Sequence, residues 1–247
     1  MRRVTAFECP NISRAHIEQV RLIHGEDSLI YRTSILAEFF SSDLDVIIPE
    51  TVYDYPPPAN DTFGLEPAAG LDLAFSQDGD GTHFCIWWGN HEVYKSNVAT
   101  DSADKLHSWI IEQIEIGKKR FGLKPEHVYV DGGGLGKPII SRLVEAGYAV
   151  TTRKNEYAPM DKLYYTNLGA ELWFRVKRLF QQRVLVQPED TLARKQLTER
   201  KAILLEQTQK YRLEGKLAHR ARLRYSPDRA DAIVLALSGY PLDVRKK

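Results

Sequence analysis

The sequence predicts an α/β fold, a mixed five-stranded sheet flanked by helices, with a short helical N-terminal extension. Three observations predict it. Residues 69–94 hold three apolar runs parted by turn signals, the pattern of an antiparallel meander. Residues 102–152 then alternate helix, strand, helix, strand, and right-handed crossovers lay both later strands parallel to the first. The first run, Ala69-Gly-Leu-Asp72-Leu-Ala-Phe75, carries a carboxylate in a stretch short enough to be a buried strand. A charge there has to be paired, hydrogen-bonded or metal-bound to offset its lost hydration.

Taken in order, Asn11-Ile-Ser13 caps a helix through Ile17, Val20 and Leu22, and Asp27-Ser-Leu29 starts a second reaching Phe39-Phe40. Tyr55-Pro-Pro-Pro58-Ala-Asn-Asp61 cannot continue a helix and reads as a stiff linker, which divides the chain into an extension, 1–60, and a domain, 61–247. After Asp72 come strands at Thr82–Trp88 and His91–Tyr94, turned by Gly89-Asn90. Leu106, Trp109, Ile110, Ile114 and Ile116 give Ser102–Phe121 a helical face, with Gly122 as its C-cap. A strand at His127–Val130 ends on Asp131; a helix over Lys137–Glu145 and a strand over Tyr148–Thr152 complete the sheet. A long helix is expected over Pro159–Arg183, with Leu163, Leu168, Leu172, Trp173, Val176 and Leu179 inward, and another over Thr191–Leu205. Tyr211–Leu217 reads as a small polar hairpin, and Ser226 as the cap of a last helix with Pro227 at its first position.

Composition sets limits. With 247 residues, 43% hydrophobic and 27% charged, the chain has the make-up of a soluble globular protein. It has no apolar run of bilayer length, and Met1-Arg2-Arg3 opens no signal peptide, so no membrane partner and a cytoplasmic location are expected. Cys9 and Cys85, far apart, suit free thiols and exclude a thiolate zinc site. The net charge of +1 hides an asymmetry: residues 153–224 hold 17 Lys+Arg against 8 Asp+Glu, a local +9, and the rest carries −8. A basic region beside an acidic cluster suits a metal-dependent enzyme acting on a polyanion, although solvated charged helices explain the charge alone equally well.

Two later stretches can supply partners for Asp72: Val128-Tyr-Val-Asp131 followed by Gly132-Gly-Gly134, and Ser226-Pro-Asp228-Arg-Ala-Asp231. If the first and fourth strands are neighbours, Asp72 and Asp131 enter one crevice. Asp228 and Asp231, one helical turn apart, point the same way. Clustered carboxylates repel unless a cation or proton lies between them, and an all-oxygen set suits magnesium or manganese. Two such ions about 3.5 to 4 Å apart activate a water and stabilise the leaving oxygen of a phosphodiester. Singly, each Asp reads as well as a turn former or an N-terminal helix acid; together they are harder to explain that way.

Other features carry less. Gly136-Lys137 suggests a phosphate-binding loop, but Asp131 stands where a Gly is needed and Pro138 where Ser or Thr is needed. The histidines share no ligand spacing, so His83, His91, His107 and His127 read as ordinary strand and helix residues, and Trp87, Trp109 and Trp173 as core.

Gly70-Leu-Asp72-Leu-Ala, Val130-Asp131-Gly-Gly-Gly-Leu-Gly136, Tyr165-Thr-Asn167 with Ala170-Glu171-Leu-Trp173, and Ser226-Pro-Asp228-Arg-Ala-Asp231-Ala together resemble the nuclease domain of phage large terminase subunits, over about residues 62 to 240. The resemblance implies an RNase H-like (RuvC-like) fold and cutting of concatemeric double-stranded viral DNA with two divalent ions, Mg2+ or Mn2+. It implies ligand roles for Asp72, Asp131 and Asp228, with Asp231 in the cluster, and gives Asp78, or Asp80 as second choice, a part in holding the second ion. Partners would be DNA and, beyond it, a separate terminase ATPase chain, the small terminase subunit and the portal. Residues 13–50 look like the end of the family's ATPase motor. No phosphate-binding loop occurs anywhere in the 247 residues, so no ATPase activity is expected, and the chain is expected to be an excised piece, a split product or a remnant. Leu168-Gly169 stands where many relatives carry a basic residue after the Asn. Two alternatives remain open: a resolvase or transposase-type nuclease of the same fold, and a catalytically idle DNA-binding or docking module.

Overall fold

The structure, a computed structural model, describes residues 4–26, 30–38, 45–74, 81–133 and 136–241. Helix α1 (Arg14–His24) starts where the sequence places it, the Ser13 hydroxyl accepting from the His16 amide at 3.2 Å. Ile17 and Val20 face inward, but Leu22 is exposed, because five residues on from Ile17 the helix has turned roughly 140° away. Of the expected second helix, Ile30 is α-helical and runs into a π-helix, Tyr31–Ile35, closed from the Leu36 amide to the Tyr31 carbonyl; its expected start at 27–29 and end at Phe39-Phe40 lie outside the described residues, as do residues 41–44. Asp45–Val46 is strand β1.

The meander is present as β2 (Ala68–Asp72), β3 (Thr82–Trp88) and β4 (His91–Val98), with Gly89 at a φ of 63° in the turn. Helix α2 (Ala103–Phe121) is capped by Ser102 and ends on a left-handed Gly122. Strand β5 (Val128–Val130), helix α3 (Gly136–Glu145) and strand β6 (Thr151–Thr152) follow. The sheet order is β4-β3-β2-β5-β6, with β2, β5 and β6 parallel. This is the mixed five-stranded, helix-flanked sheet of the RNase H-like class.

The C-terminal third departs from expectation in four places. Helix α4 spans Leu168–Gln181 and starts nine residues after Pro159, capped by Asn167. The preceding backbone is drawn off by pairing with a later strand: the Tyr211 amide donates to the Tyr164 carbonyl and the Thr166 amide to that of Tyr211. Leu163, expected inward, is therefore exposed. Helix α5 (Thr191–Glu199) stops short of Leu205, and Lys201–Leu205 becomes β7, paired with β8 (Lys210–Leu213) and with β1 in a second sheet. The hairpin thus lies upstream of its expected place, and Gly215 begins helix α6 (Lys216–Leu223) instead. Helix α7 (Asp228–Leu237) has Pro227, not Ser226, at its N-cap position; the Ser226 hydroxyl accepts from Arg220 Nε at 2.8 Å.

Period-two alternation divides the core. Ala69, Leu71, Phe84, Ile86, Val128 and Val130 pack against α2 and α3. Ala68, Cys85, Trp87 and Tyr129 face the other way, into a core shared with α7, α4 and the N-terminal residues Ile17, Ile35 and Ile48. Gly70 lies on this second face, where a Cβ would come within 1.8 Å of the Ala232 carbonyl oxygen and 2.6 Å of the Ala236 nitrogen. The absence of a side chain lets α7 lie directly on β2, and this approach carries the start of α7 to the end of the strand.

Candidate acidic site

Leu71 pairs with Val130 in the parallel β2–β5 ladder, so Asp72 and Asp131 come level at the carboxyl ends of adjacent strands. Asp72 shares its face with Gly70, and Asp131 with Tyr129, so both look toward α7. There Asp228 and Asp231 occupy the first turn. As residues, all four keep some solvent exposure.

Their charges are coupled. Burial, then the charges of Asp231 and Asp228 and, more weakly, Asp131, push the Asp72 carboxyl well above the usual range, against the pull of Lys216. Burial and the charge of Asp231 push Asp228 up to about 7, opposed by Lys216 and Arg220. Asp231 is raised by burial and held back by Arg200, Lys216 and its hydrogen bond from Trp173. Burial is the first cause of each upward shift, and repulsion between the acids adds to it.

The site also has fixed supports. Asp131 Oδ1 accepts from the Gly133 amide at 3.0 Å and Oδ2 from Asn155 Nδ2 at 3.2 Å. Asp231 Oδ1 accepts from Trp173 Nε1 at 3.1 Å. Among the described residues, no three His, Cys, Asp or Glu side chains close around a point that would hold an ion. The donor chemistry still fits a hard divalent cation: each carboxylate oxygen has a second lone pair, and the four acids repel one another without a cation. Asp78 and Asp80 lie outside the described residues.

Two of the glycines after β5 serve packing. A Cβ on Gly132 would meet Thr152 Cγ2 at 2.1 Å, and one on Gly136 the Asp131 carbonyl oxygen at 2.4 Å. Trp173 is core, as expected, at 1% exposure, but it also orients an acid. A buried indole needs an acceptor, and that rule was the available signal. Asn155, in an exposed polar loop, gave none. Glu171, in the same quoted motif, is a structural acid whose Oε2 accepts from the Met160 amide at 2.6 Å. Of the cations in the basic segment, Arg175, Lys177 and Arg200 are buried.

Next to the acids, opposite Asp72 in register, His83 opens onto a cavity of about 270 Å³ that Cys85, Glu92, Lys95, Asp190 and Arg229 also line. Burial, then the charge of Arg229, lowers His83 to about 4.

Compared with solved structures, the chain is similar to the nuclease domain of the large terminase subunit gp2 of bacterial virus Sf6. The TM-score is 0.62 and the identity 16%, over 80% of this chain and 100% of that one. It is also similar to the large terminase nuclease of thermophilic phage G20c with bound magnesium, with a TM-score of 0.52 and 15% identity over 83% of this chain and 90% of that one. A K428A mutant of the Sf6 domain solved with manganese scores 0.61. No family model and no curated protein matches the sequence. At these identities the likeness shows a shared fold.

Proposed function

We propose that this chain is a metal-dependent DNA endonuclease of the terminase type, cutting concatemeric double-stranded viral DNA during packaging. One observation carries the reading: β2, β5 and the start of α7 bring Asp72, Asp131, Asp228 and Asp231 to one end of the sheet, where three of the acids raise the fourth. Asp72, Asp131 and Asp228 would hold Mg2+ or Mn2+, with Asp231 completing the cluster and Asp78, or else Asp80, assisting a second ion. Bound there, divalent ions would supply an activated water and neutralise charge at the scissile phosphate. The chain's own residues do the rest. Trp173 and Asn155 fix two of the carboxylates, and Lys216 and Arg220 add positive charge beside the acids, where a phosphate backbone would lie.

We assign the nuclease to residues 61–247 and read residues 1–60 as an extension resembling the end of a terminase motor. The chain itself would turn over no ATP; a separate ATPase chain, the small subunit and the portal are its natural partners, in the host cytoplasm. No described helix is long and apolar enough to cross a membrane. A catalytically idle DNA-binding module is favoured by one observation, that no three described side chains enclose an ion point. Plasmid nicking decides between the two: conversion of supercoiled DNA with magnesium or manganese, abolished by EDTA, supports the nuclease, and intact plasmid under all conditions supports the idle module.

A further inference from the structure

The loop after β6 is locked at both ends. The Arg153 amide donates to the Val130 carbonyl at 2.8 Å, and its guanidinium lies 4.9 Å from the Tyr129 ring centre. At the far end the first amides of α4 close onto the loop, Gly169 to the Asn155 carbonyl at 3.1 Å and Leu168 to that of Tyr157 at 2.7 Å. Between these ties Asn155 points its Nδ2 at Asp131 Oδ2, 3.2 Å away, while its Oδ1 turns toward Gly169. A Cβ on Gly169 would sit 2.5 Å from that Oδ1 and 3.0 Å from Cγ. The amide therefore occupies space that is open because residue 169 is glycine.

We propose that Asn155 is a positioning residue that orients Asp131 for metal binding, and that Gly169 is the space that makes it possible. This rests on the metal-dependent reading of the acidic site. It also gives a reason for the departure at Leu168-Gly169: a Cβ at 169 would crowd the Asn155 amide where it meets Asp131. A carboxylate with one oxygen on the Gly133 amide and the other on Asn155 is fixed about both its torsions. Loss of an outer hydrogen bond of this kind lowers metal affinity by about 10- to 100-fold.

The test is a double-mutant cycle read by calorimetric Mn2+ binding to the DNA-free protein, with melting temperature in EDTA as the control for folding. Asn155→Ala and Gly169→Ala should each weaken Mn2+ binding by about 10- to 100-fold, while melting as folded proteins in EDTA. In the double variant Gly169→Ala should add nothing, because the side chain it displaces is already gone; a purely structural role for Gly169 predicts that the two effects multiply instead. Wild type that binds Mn2+ and loses it with Asp131→Asn, but keeps it with Asn155→Ala, overturns this inference alone. Multiplying effects also overturn it. Wild type that binds no Mn2+ overturns the metal reading and the inference together.

Discussion

The indole Nε1 of Trp173 donates to Oδ1 of Asp231 across 3.1 Å, joining the most buried helix of the protein to the acidic cluster. The bond favours the charged form of Asp231, so it works against burial and the neighbouring acids. Trp173→Phe keeps most of the ring and removes the donor. We expect a stability loss of about 1 to 3 kcal/mol from the smaller ring, and an alkaline displacement of the pH profile of cleavage, since Asp231 then ionises later. Melting and nicking across pH check this; an unmoved pH profile in a folded variant contradicts the positioning role.

Gly70 and α7 make a second test. The atoms a Cβ would strike are the backbone of Ala232 and Ala236, which cannot rotate aside. Gly70→Ala must displace α7 from β2, at a loss of about 3 kcal/mol or more, and part Asp228 and Asp231 from Asp72. A denaturant midpoint equal to wild type would show that the contact is softer than the geometry implies.

These cases show where the sequence was legible. The meander, the parallel crossovers and the acids at the strand ends follow from period-two runs, connection handedness and the three-residue spacing of Asp228 and Asp231. The second sheet was not legible: Ala202–Leu205 is a short apolar run with no period of its own, and it is a strand by pairing with β8 just after it and with β1, more than 150 residues earlier in the chain. The late start of α4 has the same cause, since the Tyr165–Tyr211 bridge is a long-range contact that overrides local helical pattern. Asn155 was hidden for another reason, because its role is set by what lies across the loop.

Glu92 offers a stability test outside the four-acid cluster. Burial pushes its carboxyl up to about 7, with Lys95 opposing and Asp190 and Glu189 adding to the rise. Between the ordinary value of 4.5 and about 7 the native state holds a proton that the unfolded chain has released, so stability falls as pH rises through that window. Glu92→Gln keeps the neutral shape. It should match wild type near ~pH 4 and exceed it by about 3 kcal/mol near ~pH 8. Thermal melts at the two pH values check this, and a gain of equal size at both would contradict it.

If the chain acts on DNA as proposed, the basic segment predicts how it is held. Arg175, Lys177 and Arg200 are buried, so only exposed cations such as Lys216, Arg212 and Arg224 can meet phosphates. Affinity should fall steeply between about 50 and 200 mM salt and change little with sequence. Arg212→Ala should reduce the salt slope by about 1. Binding that is flat across this range would leave the +9 as a solvated face.

Asp72 decides the account. Asp72→Asn keeps the volume and removes the charge on which the other three acids act. Because the native carboxyl is raised, metal-free wild type loses stability as pH climbs above the ordinary carboxylate range, and the Asn variant is spared that loss. The measurement is plasmid nicking with magnesium or manganese beside melting temperature in EDTA near neutral pH. The expected result is an inactive variant that melts no lower than wild type. A variant that still cuts, or one whose melting temperature collapses as a broken buried ion pair would cause, contradicts it.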